Sequence, residues 1–171
     1  MSAAPGNDGR KVVLAGGCQC GRLRYALYSV PAGVHICHCR MCQKAVGGPF
    51  AALAPVPAAD FAWTRGTPGT FDSSSIAARD FCRDCGTPLT YRGLSGRVNV
   101  SAGSLDDPSA VRPDFNLGVE SRLAWLADLA HIPDRTTDQD FPPDVLAAIV
   151  SHQHPDEETG ENWKPAGTQA R

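Results

Sequence analysis

The chain has 171 residues, of which 42% are hydrophobic and 20% charged; this suits one folded domain with a core and excludes a disordered polyampholyte. A formal net charge of −2 argues against a nucleic-acid-binding surface. No stretch reaches the roughly 20 apolar residues of a membrane-crossing helix, because Pro55, Pro57 and Asp60 break the longest candidate, Phe50 to Trp63.

In chain order, residues 1–10 read as a disordered leader without an apolar signal core, residues 11–135 as one domain, and residues 136–171 as a C-terminal extension. Lys11 to Ala15 is a short β-branched run that predicts a first strand. Arg22 to Tyr28 alternates, with Leu23, Tyr25 and Leu27 on one face and Arg22, Arg24 and Ala26 on the other. Val34 to Cys39 predicts a strand and Arg40 to Ala45 a turn or short helical piece, ended by Gly47, Gly48 and Pro49. Further strands are predicted at Phe50 to Val56, Phe61 to Arg65, Gly69 to Ser73, Ala77 to Phe81, Thr87 to Tyr91 and Arg97 to Ser101. Short strands at this spacing, with Gly and Pro between them, predict an all-β fold of mainly antiparallel small sheets.

After Ser104 the pattern changes. Adjacent Asp106 and Asp107 before Pro108 are turn chemistry rather than an acid–base pair. Arg122 to Ala130 reads as a short helix, with Leu123, Leu126 and Ala130 on one face, or as extended chain. Residues 144–151 predict a short C-terminal helix with an apolar stripe of Val145, Leu146, Ile149 and Val150. Beyond His152 the polar, acidic sequence reads as a mobile tail; His152 and His154 fall in it and are assigned no metal.

The seven cysteines are clustered as Cys18-x-Cys20, Cys37-x-Cys39-x-x-Cys42 and Cys82-x-x-Cys85. In a reducing, cytoplasmic setting such clusters read as metal ligands rather than disulfides. A structural zinc takes four thiolates, so seven cysteines divide as four and three. Cys82-Arg83-Asp84-Cys85-Gly86 has the form of a zinc knuckle, and Cys18-Gln19-Cys20-Gly21 supplies a second pair; Cys18, Cys20, Cys82 and Cys85 are assigned to a structural zinc. Cys37 and Cys39 share one face of an extended strand, with His38 opposite, and the turn brings Cys42 round. Three ligands and an open position make a catalytic zinc, giving two Zn2+ per chain. The competing readings are buried free thiols, or a three-cysteine site closed by His35 and purely structural.

These residues resemble a known family. Gly17-Cys18-Gln19-Cys20-Gly21, Arg24-Tyr25, the run from Cys37 to Lys44, Gly47-Gly48-Pro49-Phe50, the run from Phe81 to Leu89 and Ala102 to Pro108 are similar to the glutathione-dependent formaldehyde-activating enzymes, which include S-(hydroxymethyl)glutathione synthase and centromere protein V-like proteins. The resemblance runs from Val12 to His131. It implies an Mss4-like fold, structural and catalytic zincs on the cysteines assigned above, and a carbon–sulfur lyase activity on the adduct of glutathione and formaldehyde. Glutathione or another small thiol would be the partner, with no nucleic acid and no membrane; a non-catalytic binding module is the alternative. One departure is visible. Many family members carry a histidine after the Leu-Asp-Asp-Pro turn where this chain has Asn116, although Pro113, Arg122 and Trp125 align.

Of the remaining residues, Lys44 and Arg40 are candidates to steer an anionic substrate, competing with ordinary solvated side chains. Trp63, Trp125 and Tyr91 read as core or pocket wall.

Overall fold

The computed structural model describes residues 9–160 and 162–164. The expected leader therefore lies outside the described residues apart from Gly9 and Arg10, as do residue 161 and residues 165–171 of the expected tail. The described residues form ten strands in two sheets. Leu14–Gly17 (β1), Arg24–Leu27 (β2) and Phe61–Arg65 (β5) make an antiparallel sheet in the order β1-β2-β5. The larger sheet contains His35–Cys37 (β3), Ala51–Pro57 (β4), Gly69–Ser74 (β6), Ala77–Phe81 (β7), Pro88–Arg92 (β8), Arg97–Ser101 (β9) and Phe115–Leu117 (β10). Its order is β10-β3-β4-β9-β8-β7-β6. Every pairing in it is antiparallel except β10 with β3. The all-β expectation holds, as do the strands up to β9, with ends shifted by a few residues.

The core lies between the sheets. Leu23, Tyr25 and Leu27 meet Val34, Ala54, Val56, Leu89, Val98 and Val100 there. Full burial of one such Leu or Val side chain contributes roughly 1.5–3 kcal/mol. Tyr25, Phe61 and Trp63 form an aromatic cluster against it, with Phe61 and Trp63 edge to face at 5.1 Å. Trp63 is thus core-packed, as expected.

Arg24, on the other face of β2, is buried beneath Asp106 and Glu158. Two expectations are corrected. The C-terminal helix (α3; Arg40–Val46 is α1 and Thr137–Asp140 is α2) spans Pro143–Ala148 rather than 144–151. β-Branched Ile149 and Val150 are weak helix formers, and both are exposed, so no packing extends the helix. The free tail beyond His152 is also not what forms: the His154 N–H donates to the Gln19 carbonyl (2.7 Å) and its ring is buried against Gly21. Arg65 and Arg24 bind Glu158, and Arg65 also donates to Thr159.

Arg122 to Ala130, left open between helix and extended chain, holds 3-10 turns over Ala124–His131. Trp125 there is half exposed, neither core nor pocket wall. A one-turn helix at Thr137–Asp140 (α2), with a Thr136/Gln139 capping box, had no apolar pattern to announce it. Among the described residues no helix is long and apolar enough to cross a membrane.

Two cysteine clusters and a cavity

Two tight turns face each other across the sheets. In the β1–β2 turn the Gly21 N–H donates to the Cys18 carbonyl (3.0 Å), and in the β7–β8 turn the Gly86 N–H donates to that of Cys82 (3.0 Å). Both glycines have positive φ, +72° and +78°, a conformation that L side chains resist. The turns bring the sulfurs of Cys18, Cys20, Cys82 and Cys85 within 4.8 Å of one another. Cys18 and Cys20 are 3.5 Å apart, and Cys20 and Cys82 are 3.7 Å apart. Tetrahedral thiolates at the roughly 2.3 Å zinc–sulfur distance lie about 3.8 Å apart, so the donor set fits such an ion.

Hydrogen bonding in this cluster suits thiolates. The Leu23 N–H donates to Cys18 Sγ at 3.2 Å, and the Thr87 hydroxyl lies 3.2 Å from Cys85 Sγ. Burial pushes the Cys82 thiol up to about 11 and raises Cys20. Burial also acts to raise Cys85, but hydrogen bonds from Thr87 and the backbone outweigh it and hold this thiol at about 6. Cys85 ionises readily while Cys20 and Cys82 resist, as expected where only a cation can offset several close anions.

The second cluster forms where β3 runs into a helix. Cys37 ends the strand. Cys39 caps the helix Arg40–Val46 (α1), its sulfur accepting the Cys42 N–H at 3.4 Å. Gly47 closes that helix in the left-handed conformation. Cys42 sits in the first turn, so strand and helix together bring the sulfurs of Cys37, Cys39 and Cys42 within 4.8 Å of one another. Burial pushes Cys37 up to about 12. It acts the same way on Cys39, but the Cys42 N–H and the neighbouring sulfurs hold Cys39 below its ordinary value.

Among the described residues no histidine nitrogen or carboxylate oxygen completes this trio. His35 instead stacks on Phe115 (5.2 Å between ring centres) with Nδ1 3.0 Å from the Gly33 carbonyl. His38 points away, as the strand reading predicted, and its Nε2 meets Asn116 Oδ1 at 2.9 Å. The residue standing where many relatives have histidine is therefore the partner of His38.

The trio forms one wall of a cavity of about 380 Å³. Tyr91 and Leu53 form apolar wall, Tyr91 as expected. Arg79, which sequence reasoning missed, lines it too and donates from Nη2 to Cys42 Sγ at 3.2 Å. Its position on β7 carried no motif; only the sheet packing turns it toward the cysteines. Gln43 was also missed. It is buried and donates to the carbonyls of His38 and Ser121, both at 2.8 Å, tying α1 to the later chain. Lys44 is exposed on α1 and Arg40 bonds Gln43; neither lines the cavity. A second cavity, of about 350 Å³, lies between the four-cysteine cluster and the docked segment near His154. Arg24 and Asp106 on its wall bind each other in a two-pronged pair of 2.6 and 2.5 Å, while Asp107 caps the next turn.

Two sheets of mainly antiparallel strands carrying two cysteine clusters, each able to hold a metal ion, define the class of this protein. The model of the glutathione-dependent formaldehyde-activating enzymes matches residues 13–121, and the chain belongs to that family. An uncharacterized lyase of Schizosaccharomyces pombe is 28% identical over 82 residues, which cover 48% of this chain and 59% of that protein's length. A crystal structure of a Rhodobacter sphaeroides protein shares the fold at 21% identity and a TM-score of 0.50, covering 60% of this chain and 98% of that one.

Proposed function

We propose that the chain is a zinc-dependent carbon–sulfur lyase that makes and breaks a thiol–aldehyde adduct in the cavity beside Cys37, Cys39 and Cys42, in a cytoplasmic setting. The observation that carries this reading is the convergence of three sulfurs on a cavity with no fourth protein donor among the described residues. Cys18, Cys20, Cys82 and Cys85 are the ligands of a closed structural zinc, and the trio holds the catalytic one. All seven cysteines are free, and thiolate sets of this kind suit zinc. Zinc at the trio supplies positive charge that lowers the pKa of a substrate thiol.

The protein's own groups do the rest. Tyr91 and Leu53 keep the reacting sulfur in apolar surroundings, and the Arg79 guanidinium offsets the negative charge gathered on the cysteines. In condensation the thiol gives up its proton, a carbon–sulfur bond forms at the carbonyl carbon, and the carbonyl oxygen takes up a proton. Breakdown reverses each change. Family membership and the lyase named in Schizosaccharomyces pombe support this class of reaction; glutathione and formaldehyde are the pair that the family name suggests.

The test is a screen of thiols and aldehydes for adduct formation and breakdown, with Cys39→Ser as the comparison. Turnover should fall at least about 100-fold in the variant, consistent with loss of a metal ligand. Equal turnover in both proteins would remove the trio from the reaction.

A further inference from the structure

Arg79 is more than a neighbour of Cys42. Its guanidinium is held from three sides. Nε donates to Ser73 Oγ at 3.1 Å, the group lies over the Tyr91 ring at 4.8 Å, and Nη2 donates to Cys42 Sγ at 3.2 Å. Among the described residues Nη1 has no hydrogen-bond partner and no carboxylate lies within ion-pair distance of the group. Three other arginines in the two sheets bind carboxylates: Arg24 binds Asp106, Arg65 binds Glu158 and Arg92 binds Asp80, while Arg97 donates to the Ala32 and Pro55 carbonyls. Glu120, the carboxylate on this cavity's wall, is exposed and makes no ion pair with Arg79. A half-buried, oriented guanidinium with one prong free is therefore aimed into an otherwise largely apolar cavity.

We propose that Arg79 is a specificity-determining residue that binds a single carboxylate on the thiol substrate and so turns the substrate sulfur toward Cys37, Cys39 and Cys42. The inference rests on the function proposed above and names the substrate class: a thiol bearing a carboxylate a few bonds from its sulfur. A carboxylate that accepts from the free Nη1 gains a charge-assisted hydrogen bond from a guanidinium already fixed in orientation. Because Nη2 already touches Cys42, a carboxylate bound there lies close to the sulfur cluster, which excludes acids on long spacers. Among the described residues the cavity wall carries one guanidinium and neither Lys44 nor Arg40, so it provides for one carboxylate.

Equilibrium binding to the zinc-loaded protein tests this without relying on turnover. Titration calorimetry would compare 3-mercaptopropionate, its neutral counterpart 2-mercaptoethanol, and glutathione on wild type, Arg79→Gln and Arg79→Lys, with zinc content measured for each. The acid should bind roughly 10- to 100-fold more tightly than the neutral thiol to wild type, the range for a charge-assisted hydrogen bond. Arg79→Gln should erase that difference, Arg79→Lys should restore part of it, and zinc content should not change. In steady state Arg79→Gln should lower kcat/KM for acidic thiols by more than it does for neutral ones. Glutathione, whose carboxylates sit on longer spacers, should bind independently of Arg79; glutathione binding that depends on Arg79 would overturn the limit on spacer length. Equal wild-type affinity for acid and neutral thiol would overturn the proposal, as would equal weakening of both by Arg79→Gln or loss of zinc from that variant. Intact Arg79-dependent binding without turnover would sink the lyase reading alone.

Discussion

Gly118 shows how narrowly the three-cysteine cluster is built. Its φ is +64°, and a Cβ there would lie 2.8 Å from the backbone nitrogen of Cys39 and 2.9 Å from its Cβ. Any side chain must displace the residue that caps α1 and supplies the middle sulfur. Gly118→Ala should cost about 1–2 kcal/mol from the left-handed backbone alone, read as a lower urea midpoint. It should also reduce zinc from two ions per chain to one; retention of both would show that Cys39 tolerates the shift. Some of these residues were legible in the sequence because they act locally: the cysteines lie within six residues of their nearest partners, and glycine follows each knuckle. Gly118, Arg79 and the Asn116–His38 bond were not, since each meets its partner from dozens of residues away.

At the scale of elements, Asp80 holds three strands together. It accepts from Thr70 on β6 (2.7 Å), and from Thr90 (2.6 Å) and Arg92 (2.9 and 2.8 Å) on β8, while sitting buried on β7. Burial alone would raise its pKa, but these donors outweigh it and hold the carboxyl below its ordinary value. Asp80→Asn should therefore destabilise the protein by about 2–3 kcal/mol at neutral pH. The lowered native pKa means that the stabilisation is present above the ordinary carboxylate value of 3.8 and disappears as pH falls below it. Urea midpoints of the two proteins should therefore converge in acid; a gap that persists there would assign the effect to shape rather than charge. Strands β2 and β4 to β9 were legible from alternation and turn residues. β10 was not, because three residues carry no period and its parallel pairing with β3 depends on a crossover of nearly eighty residues. α3 was over-read at its end, since its apolar stripe has nothing to pack against.

Across the whole molecule the two clusters differ in what they join. The four-cysteine cluster links the β1–β2 turn to the β7–β8 turn, and so one sheet to the other, with Cys18 and Cys82 inside the core. The trio closes a loop of six residues. On the proposed reading, metal at the first would contribute to folding directly, while metal at the second would be largely local. Graded chelation should then proceed in two stages: one zinc leaves with little change in far-ultraviolet circular dichroism, and the second leaves with loss of the fold. A single concerted release would place both ions in the folding unit. The docking of His154 and Glu158 against Gly21, Arg24 and Arg65 belongs to this scale as well. It was invisible in a polar, aperiodic segment because its partners lie more than ninety residues earlier.

The central claim is that one cluster is complete and the other keeps a position for a substrate thiol. X-ray absorption at the zinc edge measures it directly, as the mean number of sulfurs per zinc before and after addition of 3-mercaptopropionate. The account predicts a rise from about 3.5, the mean of a four-sulfur and a three-sulfur site, to about 4. A value of 4 before any thiol is added, or one that does not move on addition, would contradict it.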